Sequence, residues 1–192
     1  MKKIILIGGG GHCKSAIDVI EQEGKYKIAG IVDKKNLLGS KVLGYPVIGT
    51  DIDINRLAKN YQNALITLGF IKNPTLRIKL FNLVKKAGFK LPSIVSPRAY
   101  ISRHSKIGVG TILMHNVIVN ANSVIGDNCI INSKALIEHD CLISSHSHIS
   151  TNVVINGGVK VGAKCFIGSS VTSKNNIEIK KNSFVKAGSI VK

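Results

Sequence analysis

The chain has 192 residues, 44% of them hydrophobic, enough for one or two domains with a sizeable core. Its formal charge is +17, but tryptophan is absent and aromatics are 5%, so no stacking platform for nucleic acid is evident. No apolar run approaches a membrane span, and residues 4–7 form too short a run for a signal peptide. A cytoplasmic protein with neither a nucleic-acid nor a membrane partner is expected. Its charge either fills solvent faces with lysine or attracts an anionic small molecule such as a nucleotide.

Residues 2–7, Lys-Lys-Ile-Ile-Leu-Ile, read as a buried parallel strand. Gly8-Gly9-Gly10-Gly11-His12 follows, then an amphipathic helix through Ala16, Ile17, Val19 and Ile20 that stops near Gly24. A second strand over residues 28–32 ends in Asp33. Strand, glycine turn, helix, strand and terminal acid open a Rossmann-like unit, whose glycines and helix N-terminus suit a phosphate. The G-x-G-x-x-G fingerprint is incomplete, because Cys13 stands where the third glycine belongs. A mononucleotide or nucleotide-sugar therefore fits better than a dinucleotide.

Tyr45–Gly49 reads as a short edge strand or a turn, residues 52–60 as a short helix, and residues 64–69 as another buried strand. Asn73-Pro74 opens a helix with Leu76, Leu80, Leu83, Val84 and Ala87 on one face, closed by Gly88. Residues 1–92 thus form one α/β domain, and residues 93–192 a second, all-β domain.

The second domain is organised by a period of six. From Val95, every sixth residue through Ile101, Ile107, Leu113, Val119, Ile125 and on to Val191 is Ile, Val or Leu, with Ser173 the one exception among seventeen positions. Neither a helix nor an ordinary strand gives that spacing; a hexapeptide-repeat parallel β-helix does. A second column two residues earlier is small or β-branched, including Ser123, Cys129, Cys141, Ser147 and Cys165. Three hexapeptides make one coil of a triangular prism, with about five coils in all. Gly108, Gly126, Gly162 and Gly168 directly follow an inward residue and are expected at turns needing φ > 0. Ser173 is expected to mark a looser coil. Of the four cysteines, three fall in the small column and none forms a C-x-x-C pair, so they read as core residues, not as a disulfide framework or a zinc site.

Histidines cluster at His139, His146 and His148, with His104 and His115 one to two coils earlier. His139 stands two residues after the inward Ile137, at an outward corner, between Glu138 and Asp140. A neutral imidazole held by a carboxylate is a general base near pH 7, and adjacency alone lets either acid hold it. Two other readings stand beside it. One is an exposed histidine with no role. The other is a zinc site of the γ-class carbonic anhydrase kind, which needs an H-x4-H pair that this sequence lacks.

Gly11-His12 after the glycine turn, together with Ile137-Glu138-His139 in a hexapeptide repeat, resembles the sugar acetyltransferases typified by NeuD and PglD. The resemblance covers nearly the whole chain. It implies a left-handed β-helix, a homotrimer with active sites between neighbouring prisms, and acetyl-CoA as donor, with no metal. By resemblance His139 is the catalytic base and Asp140 its acidic neighbour. Asn132 and His148 line the acceptor and thioester site, and Gly157 turns its amide to the acetyl group or pantetheine arm. Gly10, Gly11, His12 and Asp33 cradle the nucleotide-sugar. Gly69-Phe70 departs from the Gly-Asn that relatives commonly carry after the third strand.

The expected activity is direct N-acetylation of a nucleotide-linked amino-sugar. A UDP-linked 4-amino-4,6-dideoxy sugar is the acceptor that the resemblance implies, for glycan or nonulosonic acid synthesis. O-acetylation of a sugar such as sialic acid on the same scaffold is the alternative, and a non-catalytic nucleotide-sugar-binding trimer is a further one.

Overall fold

The computed structural model describes all residues, Met1–Lys192, in two compact units. The first comprises Met1–Gly69 and Thr75–Pro92, the second Phe70–Pro74 and Ser93–Lys192. The short segment Phe70–Pro74 therefore groups with the prism, not with the α/β chain on either side of it. No helix is long and apolar enough to cross a membrane.

The α/β unit is built on a five-stranded sheet in the order β3-β4-β2-β1-β5, from strands β1 (Lys2–Ile7), β2 (Tyr26–Val32), β3 (Lys41–Val42), β4 (Tyr45–Gly49) and β5 (Asn63–Ile66). All pairings are parallel except β3 with β4. Tyr45–Gly49 is thus a strand inside the sheet, and the two-residue β3 is the edge beyond it. Helix α1 (Gly11–Glu23) buries Cys13, Ala16, Ile17, Val19 and Ile20 and ends at Gly24, whose φ of 68° supplies the left-handed cap. Helices α2 (Ile54–Ala58) and α3 (Thr75–Lys86) share a core with Ile5, Ile7 and Ile66 of the sheet. The buried Arg77 of α3 donates through Nη1 to the carbonyls of Ile66 and Leu68, at 2.8 and 2.7 Å. That fixes the chain just past β5, where the cavity described below opens.

In the second unit, two-residue strands recur every six residues from Ile94–Val95 to Ile190–Val191. They stack into three parallel sheets of six, five and six strands. One face carries Ile94, Ile112, Ile130, His148, Phe166 and Phe184 in the outward position. The next carries Tyr100, Ile118, Leu136, Val154, Thr172 and Ile190. The third carries Lys106, Val124, Leu142, Lys160 and Glu178. The inward column of Ile, Val and Leu is fully buried through the middle coils, and each coil pairs its strands only with those of the coils next to it.

The corners explain the rest of the hexapeptide. From Gly110 onward, each two-residue turn places its second residue at positive φ: Asn116, Asn122, Asn128, Lys134, Asp140, His146, Asn152, Gly158, Lys164, Ser170, Asn176 and Asn182 all lie between 54° and 71°. Asparagine is frequent there because its short polar side chain tolerates that conformation. Gly108, Gly126, Gly162 and Gly168, expected at such positions, do not have positive φ. They are glycine because the next coil comes too close. A Cβ on Gly162 would lie 2.4 Å from the Lys181 nitrogen, and one on Gly168 2.4 Å from that of Ala187.

The small column ties coils together. Ser123 Oγ donates to the Glu138 carbonyl and accepts from the Cys141 N–H, and Thr111 and Ser147 make the equivalent pair of bonds. Ser173 does not loosen its coil. Its Oγ accepts from the Asn156 N–H at 2.9 Å, and its carbonyl accepts from Asn156 Nδ2 at 2.5 Å, so both ladder groups are satisfied through a different pair of atoms.

Candidate active site

His139 and Asp140 form the turn that leads from strand Leu136–Ile137 to strand Leu142–Ile143. The turn places the imidazole at the apex of a corner, and positive φ at Asp140 (61°) lets the next side chain turn back toward it. His139 Nδ1 and Asp140 Oδ2 are 2.7 Å apart. A carboxylate only accepts, so Nδ1 carries the proton and the neutral ring presents its Nε2 lone pair. The His139 side chain is 62% exposed, so the ring can be reached from outside the chain.

Asp140, not Glu138, is the acid that holds the ring. Glu138 Oε2 accepts from Asn120 Nδ2 at 2.8 Å, and Asp140 Oδ1 accepts from Asn122 Nδ2 at 2.6 Å. The Asn122 amide and, after it, the His139 ring hold the Asp140 carboxyl below the usual aspartate range. Gly157 lies one coil above His139. A Cβ there would sit 2.8 Å from ring atoms Cε1 and Nε2, so only glycine leaves room for the imidazole to lie along the backbone.

Two of the residues expected at this site lie elsewhere in the chain. Asn132 is at the end of strand Ile130–Ile131, on a different corner, where its Oδ1 accepts from the Ser133 N–H. His148 is an outward residue on that same face and is buried. Its Nδ1 donates to the Phe70 carbonyl at 2.8 Å, and Phe70 and Phe166 meet the ring edge-to-face at 5.5 and 5.1 Å. Within its own chain, then, the His148 ring is packed against Phe70 and Phe166. Phe70 covers it, and the bond to the Phe70 carbonyl ties Phe70–Pro74 to the prism. His115 is paired with Ser96 at 2.7 Å and His146 with Asn128 at 3.1 Å. The four cysteines are buried and free. Burial pushes the Cys13 thiol up to about 11 and raises those of Cys141 and Cys165, so none is a ready nucleophile.

The α/β unit has a site of its own. The turn Gly8-Gly9-Gly10 follows β1, and α1 begins at Gly11 with its amides unblocked by any capping side chain. Gly8 needs its φ of 104°, and a Cβ on Gly9 would press within 2.8 Å of Asp33 Oδ2, which accepts from the Gly9 N–H. A Cβ on Gly10 or Gly11 would meet nothing in the chain. His12 packs its Cβ where a side chain on Gly69 would stand, at 3.3 Å. Beside the turn, at the carboxyl ends of β1 and β2, lies a cavity of about 420 Å³. It is lined by Gly8, Val32, Asp33, Lys34, Lys35, Thr50, Asp51, Leu68, Leu76 and Leu80, among others. Sequence reasoning reached Asp33 and the glycines as binding residues; it read Leu68, Leu76 and Leu80 only as parts of a strand and a helix face, and Thr50 and Asp51 fall on a segment with no motif. Asn120 and Asn122 were also missed, although each lies one full coil, eighteen residues, before the acid it holds.

Comparison with known proteins agrees with these features. Residues 3–84 match the PglD N-terminal domain family. A search of curated proteins finds no match. Among solved structures, the acetyltransferase domain of PglB from Neisseria gonorrhoeae FA1090 is 30% identical, with a TM-score of 0.92, over 100% of this chain and 92% of that one. Perosamine N-acetyltransferase from Caulobacter crescentus, solved as a histidine-to-asparagine mutant with CoA and GDP-perosamine, is 31% identical, with a TM-score of 0.93, over 100% and 89%. WeeI from Acinetobacter baumannii AYE, 21% identical with a TM-score of 0.67, shares the fold. With its short α/β unit and its left-handed parallel β-helix, the chain belongs to the PglD/NeuD-type family of acetyl-CoA-dependent sugar acetyltransferases.

Proposed function

We propose that this chain transfers acetyl from acetyl-CoA to the amine of a nucleotide-linked amino-sugar, with His139 as general base. The observation that carries the reading is the His139–Asp140 pair at 2.7 Å, on an exposed corner with Gly157 against the ring. Two relatives support it: the Neisseria gonorrhoeae domain was solved with acetyl coenzyme A, and the Caulobacter crescentus enzyme with CoA and GDP-perosamine. The latter was solved with a histidine replaced by asparagine and, separately, by alanine.

Acetyl-CoA supplies an activated acetyl group as its thioester. His139 Nε2 takes the proton that the sugar amine sheds as its nitrogen bonds the acetyl carbon and the carbon–sulfur bond breaks. The proton then passes to the departing sulfur. Asp140 keeps Nδ1 protonated throughout and stabilises the imidazolium. The Gly157 amide is the candidate donor to the negative charge that develops on the carbonyl oxygen. Gly10, Gly11, His12 and Asp33 hold the nucleotide of the acceptor. The open space at Gly10 and Gly11, at the N-terminus of a 13-residue helix, fits a diphosphate.

The catalytic corner is completed by a second copy in a homotrimer. His139 and Asp140 are 62% and 53% exposed, and the two faces that meet at this corner carry Ile118, Val124 and Leu142 outward. Asn132, on another corner, then reaches the acceptor only from a neighbouring chain.

The test is mass spectrometry of reactions containing acetyl-CoA and a panel of UDP- and GDP-linked amino-sugars. One added acetyl group on a nucleotide amino-sugar is expected. Acetylation of free sialic acid, with none of any nucleotide amino-sugar, would overturn the reading.

A further inference from the structure

We propose that Asn122 is a positioning residue for the reaction: its side-chain amide fixes the Asp140 carboxylate in the orientation that grips His139 Nδ1. The inference rests on His139 being the base.

Three observations carry it. First, the two carboxylate oxygens are divided. Oδ1 takes Asn122 Nδ2 at 2.6 Å and Oδ2 takes His139 Nδ1 at 2.7 Å, so the group cannot rotate without losing both bonds. Second, the corner geometry aims Asn122 at this carboxylate. Asn122 and Asp140 occupy the same turn position one coil apart, at φ of 60° and 61°. The equivalent asparagines on the other corners reach upward in the same way, Asn128 to His146 and Asn152 to Ser170. Only Asn122 lands on an acid that holds a histidine. Third, the competing acid is withdrawn, because Asn120 takes Glu138.

The charged groups along this corner are few. Glu138 is held by Asn120, Arg103 and His104 pair with each other one coil below Asn122, and Lys174 lies one coil above Asn156. Within the chain, then, the state of the Asp140 carboxyl depends chiefly on Asn122 and His139, and these two lower its pKa in that order. The hydrogen bond at one imidazole nitrogen sets the tautomer, and hence the basicity of the other. A loosened Asp140 therefore frees His139 to adopt the tautomer with its proton on Nε2, which cannot accept a proton there.

The test uses Asn122→Gly, which suits positive φ and removes only the amide, and Asn122→Asp, which keeps the shape but cannot donate. Each should lower kcat about tenfold with KM unchanged, well short of the roughly 10⁴-fold loss that a wrong tautomer causes in a Ser-His-Asp triad. In an Asp140→Asn background, Asn122→Gly should add no further loss, because the two act as one unit. Nitrogen-15 NMR should show His139 of the unaltered protein as the Nδ1–H tautomer. Carbon-13 titration should show the Asp140 carboxyl moving up in Asn122→Gly. Full kcat in both Asn122 variants, an equal loss in both backgrounds, or an Nε2–H tautomer in the unaltered protein would overturn the assignment. The two NMR readouts do not depend on turnover, so an active His139→Ala would sink the base and leave the Asn122–Asp140–His139 chain separately tested.

Discussion

For His139, the proposed base, what matters is where the ring lies relative to the Gly157 backbone. Replacing His139 with alanine removes the proposed base and should lower kcat by about 10²–10⁴-fold while the prism stays folded. Gly157→Ala tests the same contact from the other side. Its Cβ would sit 2.8 Å from the ring, so the ring must swing away, and a displacement near 1 Å costs on the order of 10²-fold. Steady-state kinetics beside circular dichroism would check both; near-normal turnover in either would separate the ring from the reaction. The spacing of the repeat was enough to put His139 at an outward corner. It was not enough to choose between Glu138 and Asp140, because two neighbours of one residue are equivalent until their own partners are known. Those partners, Asn120 and Asn122, come from the coil below. The surroundings of His148 were hidden for a related reason. Its place in the repeat was legible, but the segment that covers it, Phe70–Pro74, comes from a distant part of the chain.

The elements show how far a single glycine can be read. Gly162 and Gly10 look alike in a sequence, yet one is small because backbone presses on it and the other because nothing in the chain fills the space beside it. Gly162→Ala must push the Lys181 backbone aside, and overpacking of that kind costs about 1–3 kcal/mol, visible as a lower Tm. Gly10→Ala has φ of −74°, open space and no stabilising role to lose, so Tm should hold while KM for the nucleotide-sugar rises. If Gly10→Ala unfolded the protein, or left KM unchanged, the glycine turn would not be the nucleotide cradle. Sequence offers both torsion and space as reasons for glycine, and this is why φ > 0 was expected at Gly108, Gly126, Gly162 and Gly168 when close packing is the cause. The period itself was fully legible, since each coil repeats the same short-range requirement. Ser173 was read as a defect because its compensation, the exchange of bonds with Asn156, involves side-chain atoms that a hydrophobic pattern does not register.

For the molecule as a whole, the proposed site requires a cover over the His139 corner. An imidazole left 62% exposed is solvated, and water would screen Asp140 and compete with the amine for the thioester. The outward Ile118, Val124 and Leu142, each 37–40% exposed, line the two faces that meet at that corner. In the proposed homotrimer, a three-fold ring of prisms would bury one face of each copy against another face of the next. Light scattering should therefore give three times the 20.6 kDa chain mass. Ile118→Glu and Leu142→Glu place charge in the contact and should yield folded monomers, with Tm read by calorimetry and kcat reduced by orders of magnitude although His139, Asp140 and Gly157 are all intact. Activity should return when these variants are concentrated enough to reassemble. A monomer with undiminished kcat would mean that one copy excludes water from its own corner, and the shared site would then have to be abandoned.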